Sequence, residues 1–494
     1  MPPKSITTRT IVGLEVHVQL LTKTKMFCGC PVKFGAAPNT NVCPVCLGHP
    51  GTLPVINRMA LHHAVRGGLA LGCTIAPFTK WDRKSYYYPD LPKNYQISQY
   101  DLPVASDGRL EVSVGRSTRS IGIIRAHLEE DAGKNIHDPS GCTLVDLNRT
   151  GTPLLEIVTR PDITSAAEAF AFCTELQRLM TYLGISEGVM QKGQMRFEPN
   201  VNVAIGSDGR EYFTPIAEIK NLNSFRAVRL AIEYESKRQV EAWLGDHDYQ
   251  KGKRPNENRG FSDEKGITEF QRSKEAAHDY RYFPDPDLVP VELSETWIKE
   301  LADALPELPL ARRRRFVDDL GLPPAHAETI VAHLPTADLF ERVCQTGAPA
   351  DVAVKQFVNI WMKLAADRGA KVTDLGVDPD RMADLSRITE EGVVNRSVVG
   401  QIAEAMLDSG DSPEQLAESL GLVQIHDAGA TAGWVSEVIA ANDEAVRDAL
   451  DNPKKAKAAL GFLRGQVMQR SGGKADPKLV GKLIEEQLAK LDRN

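Results

Sequence analysis

Four cysteines stand close enough together to do chemistry as a group. Cys28-Gly-Cys30 and Cys43-Pro-Val-Cys46 are two short pairs, and the 12-residue loop between them is rich in Gly, Pro and Asn. Each pair can present two thiolates from a tight turn, and the loop lets the pairs meet, which suits tetrahedral Zn²⁺. With all four positions filled by sulfur, such a zinc would be structural and would leave no place for water or substrate. Small buried cysteines are the plainer alternative. Eight cysteines in 494 residues are too few for a disulfide scaffold, and a local cluster favours metal. Cys73, Cys142, Cys173 and Cys344 are isolated and are expected to pack as small apolar residues.

A second group of residues is carboxylic. In Gly13-Leu-Glu-Val-His-Val-Gln-Leu20 the two-residue period of a strand puts Glu15, His17 and Gln19 on one face and the aliphatic residues on the other. His127-Leu-Glu-Glu-Asp-Ala-Gly-Lys134 ends a strand in an acidic triplet that includes Glu129 and Glu130. Arg196, Glu198, Asn200 and Asn202 share a face, as do Glu218 and Lys220, and Glu156 lies inside an apolar run. A solvated sheet face would explain any one of these strands. Five of them predict a single concave polar surface, and an unpaired carboxylate such as Glu156 is costly to bury unless something binds it. Carboxylate oxygens suit Mg²⁺, and Mg²⁺ over a polar cradle suits phosphoryl transfer, where positioning and charge neutralisation carry most of the catalysis. No P-loop, kinase Gly-rich loop or dinucleotide fingerprint occurs, so an ATP site would be of another kind.

These groups must be carried by strands, and the N-terminal part reads that way. Segments 10–20, 121–130, 154–159, 196–204 and 216–221 are the strand candidates. Helices are expected over 165–183, with Ser165 as N-cap, and over 226–243. The polar stretch 245–265 is expected to be a long loop. After Pro290 the pattern becomes helical, with 294–305, 309–320, 325–332 and 352–364 split by Pro or Gly. The expected fold is α+β: a cradle domain over 1–293 with a mixed β-sheet, inserted helices and the cysteine knuckle 28–46, a helical domain over 294–408, and a small all-α tail domain over 409–494.

Composition is that of a globular protein, 42% hydrophobic and 25% charged. No apolar run approaches the roughly 20 residues needed to span a bilayer, and no secretory signal follows Met1 to Arg9. A cytoplasmic protein is expected, without a membrane partner. The net charge of -7 excludes a uniformly basic coat but not a local patch for nucleic acid.

Six strings resemble one known family along essentially the whole chain. They are Gly13-Leu-Glu-Val-His17, Cys43-Pro-Val-Cys-Leu-Gly48, Tyr87-Tyr-Pro-Asp-Leu-Pro-Lys93, His127-Leu-Glu-Glu-Asp-Ala-Gly-Lys134, Asp146-Leu-Asn-Arg-Thr-Gly-Thr-Pro153 and His278-Asp-Tyr-Arg-Tyr-Phe-Pro284. The family is the B subunits of Asp/Glu-tRNA amidotransferases. The resemblance implies an ATP-dependent ligase reaction. The side-chain carboxylate of Glu-tRNA(Gln) or Asp-tRNA(Asn) is phosphorylated, and ammonia then displaces phosphate. Ammonia would come from a glutaminase A subunit, with a small C subunit completing a heterotrimer. By motif position, Glu15, His17, Glu130 and Glu218 become the expected Mg²⁺ ligands, with Glu129, Glu156 and Glu198 behind them. Lys220 is a candidate phosphate contact, and Lys84 and Lys93 are expected to line the cradle. Arg196 could serve phosphate or a neighbouring carboxylate. One departure is Glu198-Pro-Asn200, where many members carry Asp-Ala-Asn.

The tail supports an RNA partner on its own. Lys454, Lys455, Lys457, Arg464, Arg470, Lys474, Lys478 and Lys482 make its last segment locally basic in an acidic chain, which suits a phosphate backbone. Arg312 to Arg315 is a less suitable patch, because four consecutive residues point around all sides of a helix. The rival from another class is a non-catalytic, zinc-containing RNA-binding scaffold. It accounts for the cysteines and the tail but not for carboxylates gathered on strand faces.

Overall fold

In the computed structural model the described residues are 6–491, apart from 116, 138–140, 275–278, 425–427, 452–454 and 473. They form two compact units, Met1–Leu310 and Ala311–Asn494. The fold is α+β, as expected.

The first unit is built on one large sheet whose central strand is Thr7–Gln19. From Val12 to Leu20 its burial alternates residue by residue, with Val12, Leu14, Val16, Val18 and Leu20 inside. The order across the main path is Ile267–Lys274, Asn256–Ser262, Ala217–Lys220, Met195–Ser207, Thr7–Gln19, Pro153–Thr159, Ser117–Glu130, Ala105–Val114 and Thr74–Ile75. Pairing is antiparallel except between Ala217–Lys220 and Asn256–Ser262, so the sheet is mixed.

Three helices cover the apolar side. Asn57 caps Arg58–Ala70 by accepting from the amides of Met59 and Ala60. Ser165 caps Ala166–Tyr182 through the amide of Glu168, and Ser224 caps Phe225–Gly245 through that of Ala227. Each cap satisfies amides that a helix start leaves without partners. Phe172, Leu176, Val228 and Ile232 pack with the inward residues of the central strand in one core. Gly68 lets the first of these helices lie against the sheet: a Cβ there would stand 2.8 Å from Ala105 Cβ. The opposite, polar side of the sheet is left to carry the site. A small sheet of Asp82–Ser85, Tyr95–Ser98 and Phe283–Pro284 adjoins it.

The expected loop over 245–265 is in part a strand. Asn256–Ser262 pairs on both sides, and Asn258, Arg259 and Phe261 are buried. Apolar alternation could not reveal it, because its burial rests on charge pairing and its ladder shifts register between Asn258 and Arg259. Arg259 Nη1 meets Glu257 at 2.7 Å, and its Nε lies 3.4 Å from the fully buried Glu235. Glu235 also accepts from Arg238, Gln239 and Thr268, so this buried acid is fully engaged.

The helix Glu295–Asp303, which follows position 293, packs with the first unit: Leu301 joins its core, with Trp297 and Ile298 against it. A two-residue strand, Val291–Glu292, pairs with Phe78–Thr79 in a region read as free of strands.

The second unit is helical. The helix expected over 352–364 runs as Ala350–Gln356 and Met362–Asp367 joined by a π-turn at Phe357–Trp361. Phe316, Phe340 and Phe357 form a chain of ring contacts at its core. The last helices, Ala428–Ala441, Asp443–Asp451, Ala456–Arg470 and Pro477–Leu491, gather around Val435, Leu463, Val467 and Ile484. No described helix is long and apolar enough to cross a membrane.

Candidate active site

Sheet register assembles the site. On three neighbouring strands His17 stands opposite Glu156, and Glu156 opposite His127. Directly facing residues on adjacent strands touch through their side chains, so these three form a row. Glu156 Oε2 lies 3.5 Å from His17 Nε2 and 3.4 Å from His127 Nε2. Glu129, two residues after His127 and so on the same face, puts Oε1 3.4 Å from His17 Nε2. Glu15 Oε1 is 3.8 Å from the same nitrogen.

Two overlapping donor sets result: Glu15, His17 and Glu156, and His127, Glu129 and Glu156. In each, one ligand atom per residue lies within 4.8 Å of the others, close enough for one cation to be held. Glu129 Oε2 and the Nδ1 atoms of His17 and His127 are buried without a hydrogen-bond partner. Orphaned buried polar atoms of this kind are expected where an ion or ligand completes the site. The donor set therefore fits a divalent cation.

Electrostatics couple these groups. Burial, then the neighbouring Glu156 charge, pushes the Glu15 carboxyl up to about 7, while His17 pulls it down. Burial disfavours the His17 imidazolium, but hydrogen bonds to Glu129 and Glu156 outweigh it and raise its pKa well above the ordinary value. Burial would likewise raise Glu156, yet His127 and His17 hold its carboxyl well below the usual range. Burial also works against the Lys84 ammonium, but the Glu129 and Glu156 charges make it keep its proton more tightly than usual. That ammonium sits over the ring of Tyr280 at 4.9 Å.

Toward one side the row continues. Glu198 stands opposite Glu15, and Lys220 bridges Glu198 and Glu218 at 2.8 Å each. Arg196, opposite His17, turns its guanidinium to Asp131 at 2.9 Å, a carboxylate partner of the kind anticipated for it.

The structure thus brings Glu15, His17, Glu129 and Glu156 together, flanked by Glu198, Glu218, Lys220 and Lys84. It sets Glu130 and Lys93 apart. Glu130 follows Glu129 by one residue and points to the other side, where it pairs with Lys93 and accepts from the amide of Ile97 at 3.0 Å. Glu218 is held by Lys220 and is not among the donor sets. The sequence reading did not single out His127, which joins a donor set here, although its parity with Glu129 in one strand was the available signal. Tyr86 packs edge-on against Tyr88 and Tyr280, whereas Tyr88 is exposed. His278 lies outside the described residues.

The four cysteines Cys28, Cys30, Cys43 and Cys46 converge, their sulfurs all within 4.8 Å of one another. The hydrogen bond with Cys28 lowers the Cys46 thiol to about 4, with Cys43 and Lys25 also favouring its thiolate. Burial raises Cys30 to about 11. Four converging sulfurs, one of them with its thiolate favoured by its neighbours, form a donor set that a thiophilic dication would complete. Glu130, Lys93, Cys28 and Cys46 line one cavity.

Two members of the arginine run are engaged within the unit: Arg312 is buried and bonds Asp338 at 2.6 Å, and Arg315 bonds Glu341 at 2.5 Å. In the tail Lys457, Arg464 and Lys478 are exposed, while Lys455, Arg470 and Lys482 pair with Asp448, Glu437 and Glu486. Lys454 lies outside the described residues.

Comparisons with known proteins agree in direction. Residues 10–299 match the family described as the GatB/GatE catalytic domain, and 338–488 match the GatB domain. The chain is 46% identical over 481 residues to the B subunit of the aspartyl/glutamyl-tRNA(Asn/Gln) amidotransferase of Moorella thermoacetica, covering 97% of this chain and 99% of that protein. It is 45% identical over 481 residues to the protein of the same name in Caldanaerobacter subterraneus, with the same coverage. That of Thermodesulfovibrio yellowstonii is 44% identical over 476 residues, covering 96% and 98%. Matches across both units at this identity establish the relationship, and the chain belongs to the family of aspartyl/glutamyl-tRNA(Asn/Gln) amidotransferase B subunits.

Proposed function

We propose that this chain is the activating and amidating subunit of a glutamine-dependent tRNA amidotransferase, working in the cytoplasm with a glutaminase A subunit and a small C subunit. Its substrates are Glu-tRNA(Gln), Asp-tRNA(Asn) or both, together with ATP and ammonia. A side-chain carboxylate oxygen of the esterified amino acid takes the terminal phosphoryl group of ATP and ADP leaves. Ammonia then attacks the acyl carbon, phosphate leaves, and the amide loses a proton.

The observation that carries this is the row His17–Glu156–His127 with Glu129 and Glu15 beside it, on the polar side of the sheet. We assign Mg²⁺ to these five residues. When bound, Mg²⁺ supplies charge neutralisation at phosphate oxygens. The chain's own groups fix the rest. His17 and His127 orient the Glu156 carboxylate between them, and Lys84 offsets the local negative charge beside it. Lys220, already tied to Glu198 and Glu218, is placed to meet a phosphate at the edge of the row. Glu130 and Lys93 stay outside this ligand set as a closed pair.

We assign the four thiols to a structural Zn²⁺, and the exposed basic residues of the tail to the tRNA backbone. In this division of labour 1–293 is the cradle, 294–408 a helical domain whose first helix, Glu295–Asp303, packs on the cradle, and 409–494 the tRNA-binding tail.

The test is reconstitution with the A and C subunits, ATP and glutamine on both mischarged tRNAs. Amidation of at least one, with ADP released in step, is expected. Glu15→Ala should abolish amide formation and leave tRNA binding largely intact. Failure to amidate either tRNA would overturn the proposal, and near-normal amidation by Glu15→Ala would overturn the metal assignment.

A further inference from the structure

Lys25 is a buried cation that no acid accounts for. The residue is 1% exposed, and an ammonium taken out of water is strongly destabilising unless an opposite charge or good acceptors meet it. Its Nζ donates to the carbonyl oxygen of Asn41 at 2.7 Å and to Cys46 Sγ at 3.6 Å. Among the described residues it forms no ion pair with Asp or Glu. Glu130, which lines the same cavity, is held by Lys93.

The surroundings tie Lys25 to each part of the thiol cluster. Its amide donates to the carbonyl of Cys30 at 3.0 Å, which fixes it to the first cysteine pair. Its ammonium reaches Cys46 of the second pair. Through Asn41 it holds the loop between the pairs, and Asn41 is anchored in turn by its amide on Asn148 Oδ1 at 2.7 Å.

We propose that Lys25 is the charge partner of the four-cysteine metal site, a positioning residue that lowers the net charge of the metal–thiolate group and locks its two halves together. This rests on the assignment of the four thiols to zinc. Four thiolates around a dication leave two negative charges inside the protein. An ammonium against one sulfur offsets one of them and directs a charge-assisted hydrogen bond at it.

Full-length Lys25→Met and Lys25→Gln test this by zinc affinity, read by competition with a chromogenic chelator, and by Co²⁺ substitution, read by thiolate-to-metal absorption. Gln keeps a donor for Asn41 but no charge. Both variants are expected to bind zinc ~10–100-fold more weakly, the range for lost outer-shell partners. Thermal unfolding should set Lys25→Met further below the native chain at limiting zinc than after zinc is stripped. Native-like affinity in both variants overturns the charge role. So does an equal loss of stability with and without zinc, which would mark Lys25 as mere packing. A native chain that takes up neither zinc nor cobalt in stoichiometric amount overturns the zinc assignment and this proposal together.

Discussion

At the scale of single residues the most consequential side chain is Glu156. It lies between two imidazoles, 3.5 and 3.4 Å away, and belongs to both donor sets. Glu156→Gln retains the shape and removes the charge, so both sets fail together. Amidation is expected to fall by on the order of 100-fold or more, with Mg²⁺ affinity reduced in calorimetry and far-UV circular dichroism unchanged. Unaltered kcat in that variant would remove Glu156 from the ligand set. Much of this site was legible in the sequence. Glu15 and His17 follow from alternation in a single strand, and Glu156 from a carboxylate in an apolar run. Glu130, expected as a ligand by motif position, follows Glu129 by one residue in the strand and so faces the other side, where it pairs with Lys93. His127 was hidden by being grouped with what followed it instead of with the residue two positions on.

At the scale of elements, strands marked by apolar alternation and helices marked by Ser caps were readable, and Ser165 caps its helix as expected. What was not readable is the strand next to the sheet's edge, Asn256–Ser262, which is stabilised by the Glu235 network. A pattern of hydrophobicity carries no trace of a strand whose interior partners are charged. Removing one member of such a network strands the others. Glu235→Ala leaves Arg238 and Arg259 only Glu257 as an acid and takes an acceptor from Gln239 and Thr268, and is expected to destabilise the first unit by about 1–3 kcal/mol. Chemical denaturation measures it, and a change within experimental error would show the network to be dispensable. A second element-level constraint is the approach of the Arg58–Ala70 helix to the sheet. An added methyl at Gly68 would also come within 2.9 Å of Ile75 Cδ1. Gly68→Ala should therefore cost about 1–3 kcal/mol by overpacking, visible as a lower Tm.

At the scale of the whole molecule, the chain carries its carboxylate row and its basic tail in different units, which suits a substrate with one reactive end and a long charged body. Combined Lys457→Glu, Arg464→Glu and Lys478→Glu substitutions are expected to raise KM for tRNA and leave KM for ATP and kcat nearly unchanged. The slope of binding against salt should also flatten, by roughly one counterion for each phosphate no longer neutralised. A rise in KM for ATP without one for tRNA would place those side chains elsewhere in the reaction. Composition could not have divided the charges this way, since a net charge of -7 averages over both units.

The row across the three central strands has a further consequence, for insertions and deletions. Because Glu156 lies between Leu155 and Ile157, a slip of one position along Pro153–Thr159 replaces the acid by an aliphatic side chain. A frame change of a single codon inside any of these three strands should therefore be silent in expression yet null in activity, or lost altogether, with no graded class between. Deletion scanning of Thr7–Gln19 would draw the outline of the site from activity alone.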